Sequence, residues 1–366
     1  MSEARPTESG FRTPAALLLG GAHFVHDVYT ALLAPLLPLL IAKLDLSLTQ
    51  AGSLVLFMQL PSLVNPLIGA AVDRSGWARR LVVVTPGATG VLMSLIGLAP
   101  SFAALAAVLA AAGLTVAALH VSAPVLVSDV SGTRLGRGMS LFMLGGELAR
   151  TAGPLLAVEA VALLTLEGLW LTAPVAVAAS LVLHFRLDAD GGRGRLQRER
   201  PTHLARVWRR MGRVLAAVVG VMVARGFMAA AVMTFLPTFQ VGRGASLWMA
   251  NLSLAVAELA GAAGALTSGT LSDRLGRRRV VAGLVALSPP LMLAFLATEG
   301  AASVLCLAAL GFVTIATSPV LMATVIEHAG ADRAAANGTY TMASFAIRSL
   351  IVVAVGAVGD AIGLEA

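Results

Sequence analysis

Eleven long apolar runs occupy most of the chain, near residues 14–42, 48–71, 81–99, 102–127, 138–164, 168–185, 213–237, 247–271, 280–298, 301–325 and 338–358. Short loops rich in arginine and glycine separate them. A helix rises about 1.5 Å per residue, so a run of about twenty apolar residues matches the roughly 30 Å hydrocarbon core of a bilayer. A water-soluble fold needs about a quarter of its residues charged, and only 12% are charged here against 58% hydrophobic. Inside lipid every backbone amide must find a partner within the protein, which a helix achieves within one segment. The expected fold class is therefore an all-α polytopic membrane protein.

Lysine and arginine set the expected orientation. With the N-terminus inside, the inner side receives Arg5, Arg12, Arg74, Arg79, Arg80, Arg134, Arg137, Arg274, Arg277, Arg278, Arg279 and Arg333, together with the arginine cluster between the sixth and seventh runs. Only Lys43 and Arg243 fall outside, the asymmetry expected of a cytoplasmic inner face. Residues 1–13 then form a cytoplasmic tail, 14–185 a six-helix bundle, 186–212 a cytoplasmic linker and 213–366 a second bundle of five helices. The tail is polar and lacks a cleavage-type end, so it is not read as a signal peptide. The net charge of +7 resides in loops rather than in a basic domain, which argues against nucleic acid as a partner. A single cysteine, Cys306, permits no internal disulfide.

The chain is built twice. Gly69 to Arg80 reads GAAVDRSGWARR, and Gly269 to Arg279 reads GTLSDRLGRRR. Pro124-Val125-Leu126 recurs as Pro319-Val320-Leu321, and Arg150 falls opposite Arg348, all at offsets near two hundred. A six-helix unit is repeated, and the second copy ends after its fifth run, so eleven spans are expected with a twelfth absent from this chain. Asp73, Arg74, Asp273 and Arg274 of the repeated loops, with Asp129 nearby, are candidates for a gate at the inner face; the plainer reading is that the arginines only hold these loops inside.

Charges at mid-span need a reason, because one ionised side chain at the bilayer centre costs roughly 2.5–3.5 kcal/mol. Asp27, Arg150, Arg225, Glu258 and Arg348 lie there, with Glu147 slightly nearer the inner side. Glu147 and Arg150 are three apart and share a helix face, so they form either a structural ion pair or part of a site. Arg225 and Glu258 are expected to neutralise each other. Arg150 and Arg348 are candidates for a clamp on an anionic substrate, since a guanidinium grips carboxylate or phosphate with two parallel hydrogen bonds. The alternative pairs Arg348 with Asp27 or Glu147. His23 and Asp27, four apart, face one another, and with His26, His120, Glu147 and Glu258 they are the candidates for carrying protons. Gln59, Asn65 and Asn251 are candidate substrate contacts, as are Thr314, Thr317 and Ser318, although such residues also bind helices to each other.

The repeated loop resembles the signature Gly-x-x-x-Asp-Arg-x-Gly-Arg-Arg of the major facilitator superfamily, and the second copy is the nearer match. Within it, Ala22-His23-Phe24, Asp27-Val28-Tyr29, Leu32 to Leu40 and Leu48-Thr49-Gln50-Ala51-Gly52 resemble the fosmidomycin-resistance group of efflux transporters. The chain departs from that group at His26, where an asparagine is usual, and at His120-Val121-Ser122, where the group has His-Pro-Glu. The resemblance implies a two-bundle fold whose helices one, five, seven, eight and eleven face a central cavity; every mid-span charge falls on one of these. It further implies a monomeric secondary active transporter in the inner membrane of a bacterium, working by alternating access. The expected activity is proton-coupled export of a drug or small organic anion, with protons, an anionic or amphiphilic small molecule and the lipid bilayer as partners. The alternatives are a uniporter or proton symporter of an anionic metabolite, and a sensor or scaffold that does not transport. No nucleophile-base set, metal-ligand spacing or phosphate-cradling motif is evident, so neither an enzyme nor a cofactor or metal is expected.

Overall fold

The computed structural model describes residues 10–187, 204–328 and 333–364. Every regular element among them is helical, and the helices join into eleven rods: α1 (Thr13–Leu44), α2 (48–75), α3 (Ala78–Leu98), α4 (Phe102–Ser131), α5 (Leu135–Leu164), α6 (Glu167–Arg186), α7 (204–242), α8 (Leu247–Leu275), α9 (Arg277–Ala297), α10 (Gly300–His328) and α11 (Arg333–Ile362). Nine of these described rods are long and apolar enough to cross a membrane. The other two are α2, which is split, and α5, which carries Arg137, Glu147, Arg150 and Glu159. Helix α7 starts at Leu204, earlier than the expected 213, and residues 188–203 of the expected linker 186–212 lie outside the described residues.

Prolines explain where the rods break. Proline has no N–H, and its ring clashes with the carbonyl four residues back. Helix α1 is interrupted at Ala31 and Leu32, four and three residues before Pro35. Helix α2 narrows to a 3-10 turn over Leu60–Val64, which holds Pro61 and the residue four before Pro66. Helix α7 widens to a π turn over Ala231–Phe235, just ahead of Pro237. By contrast Pro124, Pro154 and Pro319 sit inside continuous helices.

The halves, α1–α6 and α7–α11, are joined at one end. An apolar cluster crosses between them, combining Leu36, Leu37, Leu54 and Met93 of the first with Phe235, Ile351 and Val352 of the second. Here α2 and α11 approach backbone to backbone: a Cβ on Gly52 would stand 2.6 Å from the Val352 carbonyl oxygen, so no larger residue fits. Asp360 of α11 accepts hydrogen bonds from Leu48 N at 2.6 Å, Thr49 N at 2.9 Å and Thr49 Oγ1 at 2.6 Å. Trp248 of α8 donates to Glu159 of α5 at 2.8 Å. At the opposite, arginine-rich end the apolar clusters stay within one half, around Leu119, Leu126 and Phe142 in the first and around Leu215, Val325 and Tyr340 in the second. The molecule is closed at one end, and among the described residues no apolar cluster joins the halves at the arginine-rich end.

Candidate functional site

Between the halves lies a cavity of two lobes, about 430 Å³ and about 210 Å³, which share Arg150, Met233, Glu258 and Arg348. The larger lobe also takes in Asp27, Gln59, Asn65, His120 and Phe345. The smaller lobe is lined by Arg225, Thr314, Ser318 and Ser344 in addition to the shared residues. Helices α1, α2, α4, α5, α7, α8, α10 and α11 contribute, and the mid-span charges converge here from four of the rods on each lobe's wall. A wider groove of about 810 Å³, lined by Phe11, Leu18, Leu181 and Phe185, lies between the start of α1 and the end of α6, away from those charges.

The arginines are held in different ways. Arg150 is paired with Glu147 on its own helix, as the three-residue spacing predicts, and its Nε lies 3.8 Å from Glu258 of the other half. Arg225 does not take Glu258 as its partner: its guanidinium donates to the Thr314 carbonyl and, at 2.7 Å, to Ser318 Oγ. The reason is packing, because α7 presents Arg225 to the wall of α10 while Glu258 on α8 faces across the seam to α5. The hydroxyl of Tyr340 donates to the Ser318 carbonyl at 3.0 Å, bracing the same wall. Arg348 is exposed to the cavity and within electrostatic reach of both Glu258 and Arg150. One carboxylate, Glu258, thus acts electrostatically on both Arg150 and Arg348.

A second cluster gathers on α1, α4 and α5. His23 Nδ1 donates to the Phe142 carbonyl at 2.8 Å, and His120 Nδ1 donates to the Val116 carbonyl at 2.9 Å. Both rings therefore turn Nε2 inward; the two Nε2 atoms are 3.4 Å apart, and that of His23 is 3.2 Å from Asp27 Oδ2. The His120 Nε2 is 3.9 Å from Asp27 Oδ1. His26 and Asp27 leave the helix in directions about 100° apart, yet side-chain rotation brings His26 Nδ1 within 2.8 Å of Asp27 Oδ1. The Phe142 ring stacks on His23 with centroids 4.0 Å apart, and Gly146 leaves the room this needs, since a Cβ there would lie 2.7 Å from His23 Cε1.

Gln59 and Asn65 line the larger lobe, whereas Asn251 is buried outside it and donates to the carbonyls of Pro35 and Leu247, at 3.3 and 2.9 Å. In the second repeated loop Asp273 pairs with Arg277 at 2.5 Å, and Arg277 reaches Glu327 at the end of α10 at 2.8 Å; Arg274 is exposed. Arg74 is likewise exposed in the first loop, the Asp73 side chain lies outside the described residues, and Asp129 sits at the arginine-rich end of α4. Glu327 and Asp360 take no part in the sequence expectations. An Asp or Glu at a helix end carries no local mark of the rod it will meet.

Two repeated helical halves closing over a polar cavity at mid-membrane are the architecture of a membrane transporter. The chain belongs to the Major Facilitator Superfamily, whose family model matches residues 19–352. It is 24% identical over 366 residues to the MFS-type transporter YfnC of Bacillus subtilis (strain 168), covering 96% of this chain and 88% of that one. It is 25% identical over 271 residues to the Fosmidomycin resistance protein of Escherichia coli (strain K12), covering 72% of this chain and 66% of that one. Among solved structures, it superposes on a bacterial homologue of the human lysosomal transporter Spinster, in an inward-facing, unoccupied conformation, with TM-score 0.79 and 15% identity over 98% of this chain and 84% of that one. It is a multi-pass membrane protein with bacterial relatives.

Proposed function

We propose that this transporter is a secondary carrier of a small organic anion, working by alternating access in a bacterial inner membrane, with the arginine-rich end facing the cytoplasm. In that orientation the conformation is inward-open. The observation that carries the reading is the smaller lobe, whose charged lining is Arg150, Arg225 and Arg348 against Glu258 alone. Guanidinium groups in a partly dry lobe favour a carboxylate or phosphate oxyanion over any neutral ligand.

The position of Glu258 supports a link between the charge of the substrate and the sign of proton coupling. While ionised it competes with an anion for Arg150 and Arg348. A proton on Glu258 frees Arg348 and leaves Arg150 with Glu147 as its remaining carboxylate, so proton and anion occupy the carrier together, which is symport. A cationic amphiphile would instead compete with the proton for Glu258, which is antiport. The likeness to the Fosmidomycin resistance protein supports a drug as the substrate.

The experiment is a thermal-shift screen of the purified protein against carboxylates, phosphates, phosphonates and cationic drugs at two pH values, with Arg348→Ala beside it. Binding to the native state raises apparent stability. Anions are expected to stabilise the parent more strongly at the lower pH and to lose this in Arg348→Ala, which also abolishes anion flux in proteoliposomes. Stabilisation by cationic drugs alone, or anion effects equal in both proteins, would refute the anion assignment.

A further inference from the structure

The cluster of His23, His120 and Asp27 has more acceptors than donors. Each histidine spends its Nδ1–H on a main-chain carbonyl, and His26 supplies the hydrogen bond that orients Asp27. Two imidazole lone pairs and a carboxylate oxygen then converge with nothing positive between them. A single proton on His23 serves the 3.2 Å line to Asp27 but leaves His120 Nε2 at 3.4 Å, longer than an ordinary N–H···N bond. One tetrahedral metal satisfies all three. With metal–ligand bonds of about 2.0–2.1 Å, ligand atoms stand about 3.3 Å apart; here His23 Nε2 is 3.2 Å from Asp27 Oδ2 and 3.4 Å from His120 Nε2, and all three ligand atoms lie within 4.8 Å of one another. Histidines that hold a metal through Nε2 characteristically donate Nδ1–H to a carbonyl or carboxylate, as both do here.

We propose that His23 and His120, through Nε2, and Asp27, through Oδ2, form a site for a borderline divalent transition cation of the Zn²⁺ class, with the fourth position open to the transport cavity. Two imidazoles and one carboxylate select such ions over Mg²⁺ or Ca²⁺, which prefer all-oxygen shells. The exposed face of His120, 42% accessible where Asp27 is 9%, gives the ion its way in from the larger lobe. The site is separate from the arginine lobe and stands or falls independently of the anion assignment.

The test uses the full chain, purified and freed of any polyhistidine tag, titrated with Co²⁺ as a spectroscopic probe and then with Zn²⁺. The expected result is one Co²⁺ per chain with the intense visible absorption of a tetrahedral site, displaced by equimolar Zn²⁺ and unaffected by Mg²⁺. His120→Ala, which removes a cavity-facing side chain, should weaken binding at least tenfold while leaving the thermal midpoint of the metal-free protein near that of the parent; His23→Gln should do the same to binding. Absence of stoichiometric Co²⁺ and Zn²⁺ binding would overturn the proposal, leaving a protonated histidine as the occupant. So would an unchanged affinity and spectrum in both variants, which places the cation elsewhere.

Discussion

Removing the Asp360 carboxylate should loosen the closed end by an amount that the geometry allows to be calculated. Helix α2 begins with four amides lacking intrahelical partners. Ser47 Oγ accepts from Gln50 N at 3.1 Å, and Gln50 returns a bond to Ser47 N, but Leu48 N and Thr49 N are satisfied by Asp360 from the other half. Hydrogen bonds to a charged group are worth about 1.5–3 kcal/mol when dry, but these are exposed and water replaces them when the halves part. Discounting each of the three to about 0.5 kcal/mol, as for surface ion pairs, and adding roughly 0.5 kcal/mol for an anion at a helix N-terminus, gives about 2 kcal/mol in favour of the closed end. That corresponds to about a thirtyfold change in the population open there. Val352 is fully buried in the seam, so a cysteine placed at that position is alkylated only when the seam opens. In a Cys306→Ala background, Val352→Cys should react about thirty times faster with a water-soluble maleimide once Asp360→Ala is added, and Asp360→Asn should fall between. A rate within twofold of the parent in Asp360→Ala would refute the assignment of Asp360 as a latch.

The remaining predictions concern other parts of the molecule. Glu258→Gln should remove the pH dependence of anion stabilisation; Coulomb attraction at 3.8 Å is worth at most about 4 kcal/mol in a surface-like dielectric, and with half of that lost to cavity water, anions should bind about thirtyfold tighter near neutral pH. Persistence of the parent's pH dependence would show that the proton is carried elsewhere. Gly52→Val places a side chain against the Val352 carbonyl, so spin labels at Gly168 and Ala245 should move apart; unchanged separation would mean the seam yields without opening. The hydrogen bonds from Arg277 hold the Glu327 carboxyl below its usual value, so its contribution is present near pH 7 and is lost as pH falls through the lowered folded-state value. Because the pair is exposed, Glu327→Gln should cost less than about 1 kcal/mol, seen as a slightly lower thermal midpoint at about pH 7 that converges with the parent's at about pH 3.

Features that depend on one helix were legible in the sequence, and those that depend on two were not. Apolar length placed the rods, and spacing alone paired Glu147 with Arg150 and His23 with Asp27. The arrival of His120 beside His23, 97 positions away, depends on how α4 packs against α1. The same holds for Arg225, whose partners on α10 are a carbonyl and a hydroxyl, groups so common along any helix that no spacing singles them out. Asn251 is polar at mid-span, as a substrate contact would be, but that polarity serves the Pro35 carbonyl across the seam. The repeat singles out Arg150 and Arg348 together, and both line the cavity.

The interrupted rods bear on how such a molecule would switch. Three of the segments that seal the closed end, Leu33–Leu44 and Leu48–Gln59 from the first half and Leu236–Gly242 from the second, each begin or end at one of the breaks, whereas α11 runs through it whole. Bending a continuous helix requires main-chain hydrogen bonds to be broken in the lipid, where nothing replaces them. Pro35, Pro66 and Pro237 have already removed the donors at these points. The plug is therefore made partly of short pieces, joined to their longer shafts by joints with few bonds left to rupture and packed against the unbroken α11. It can swing aside piece by piece, so the two halves need not rock as unbroken bodies.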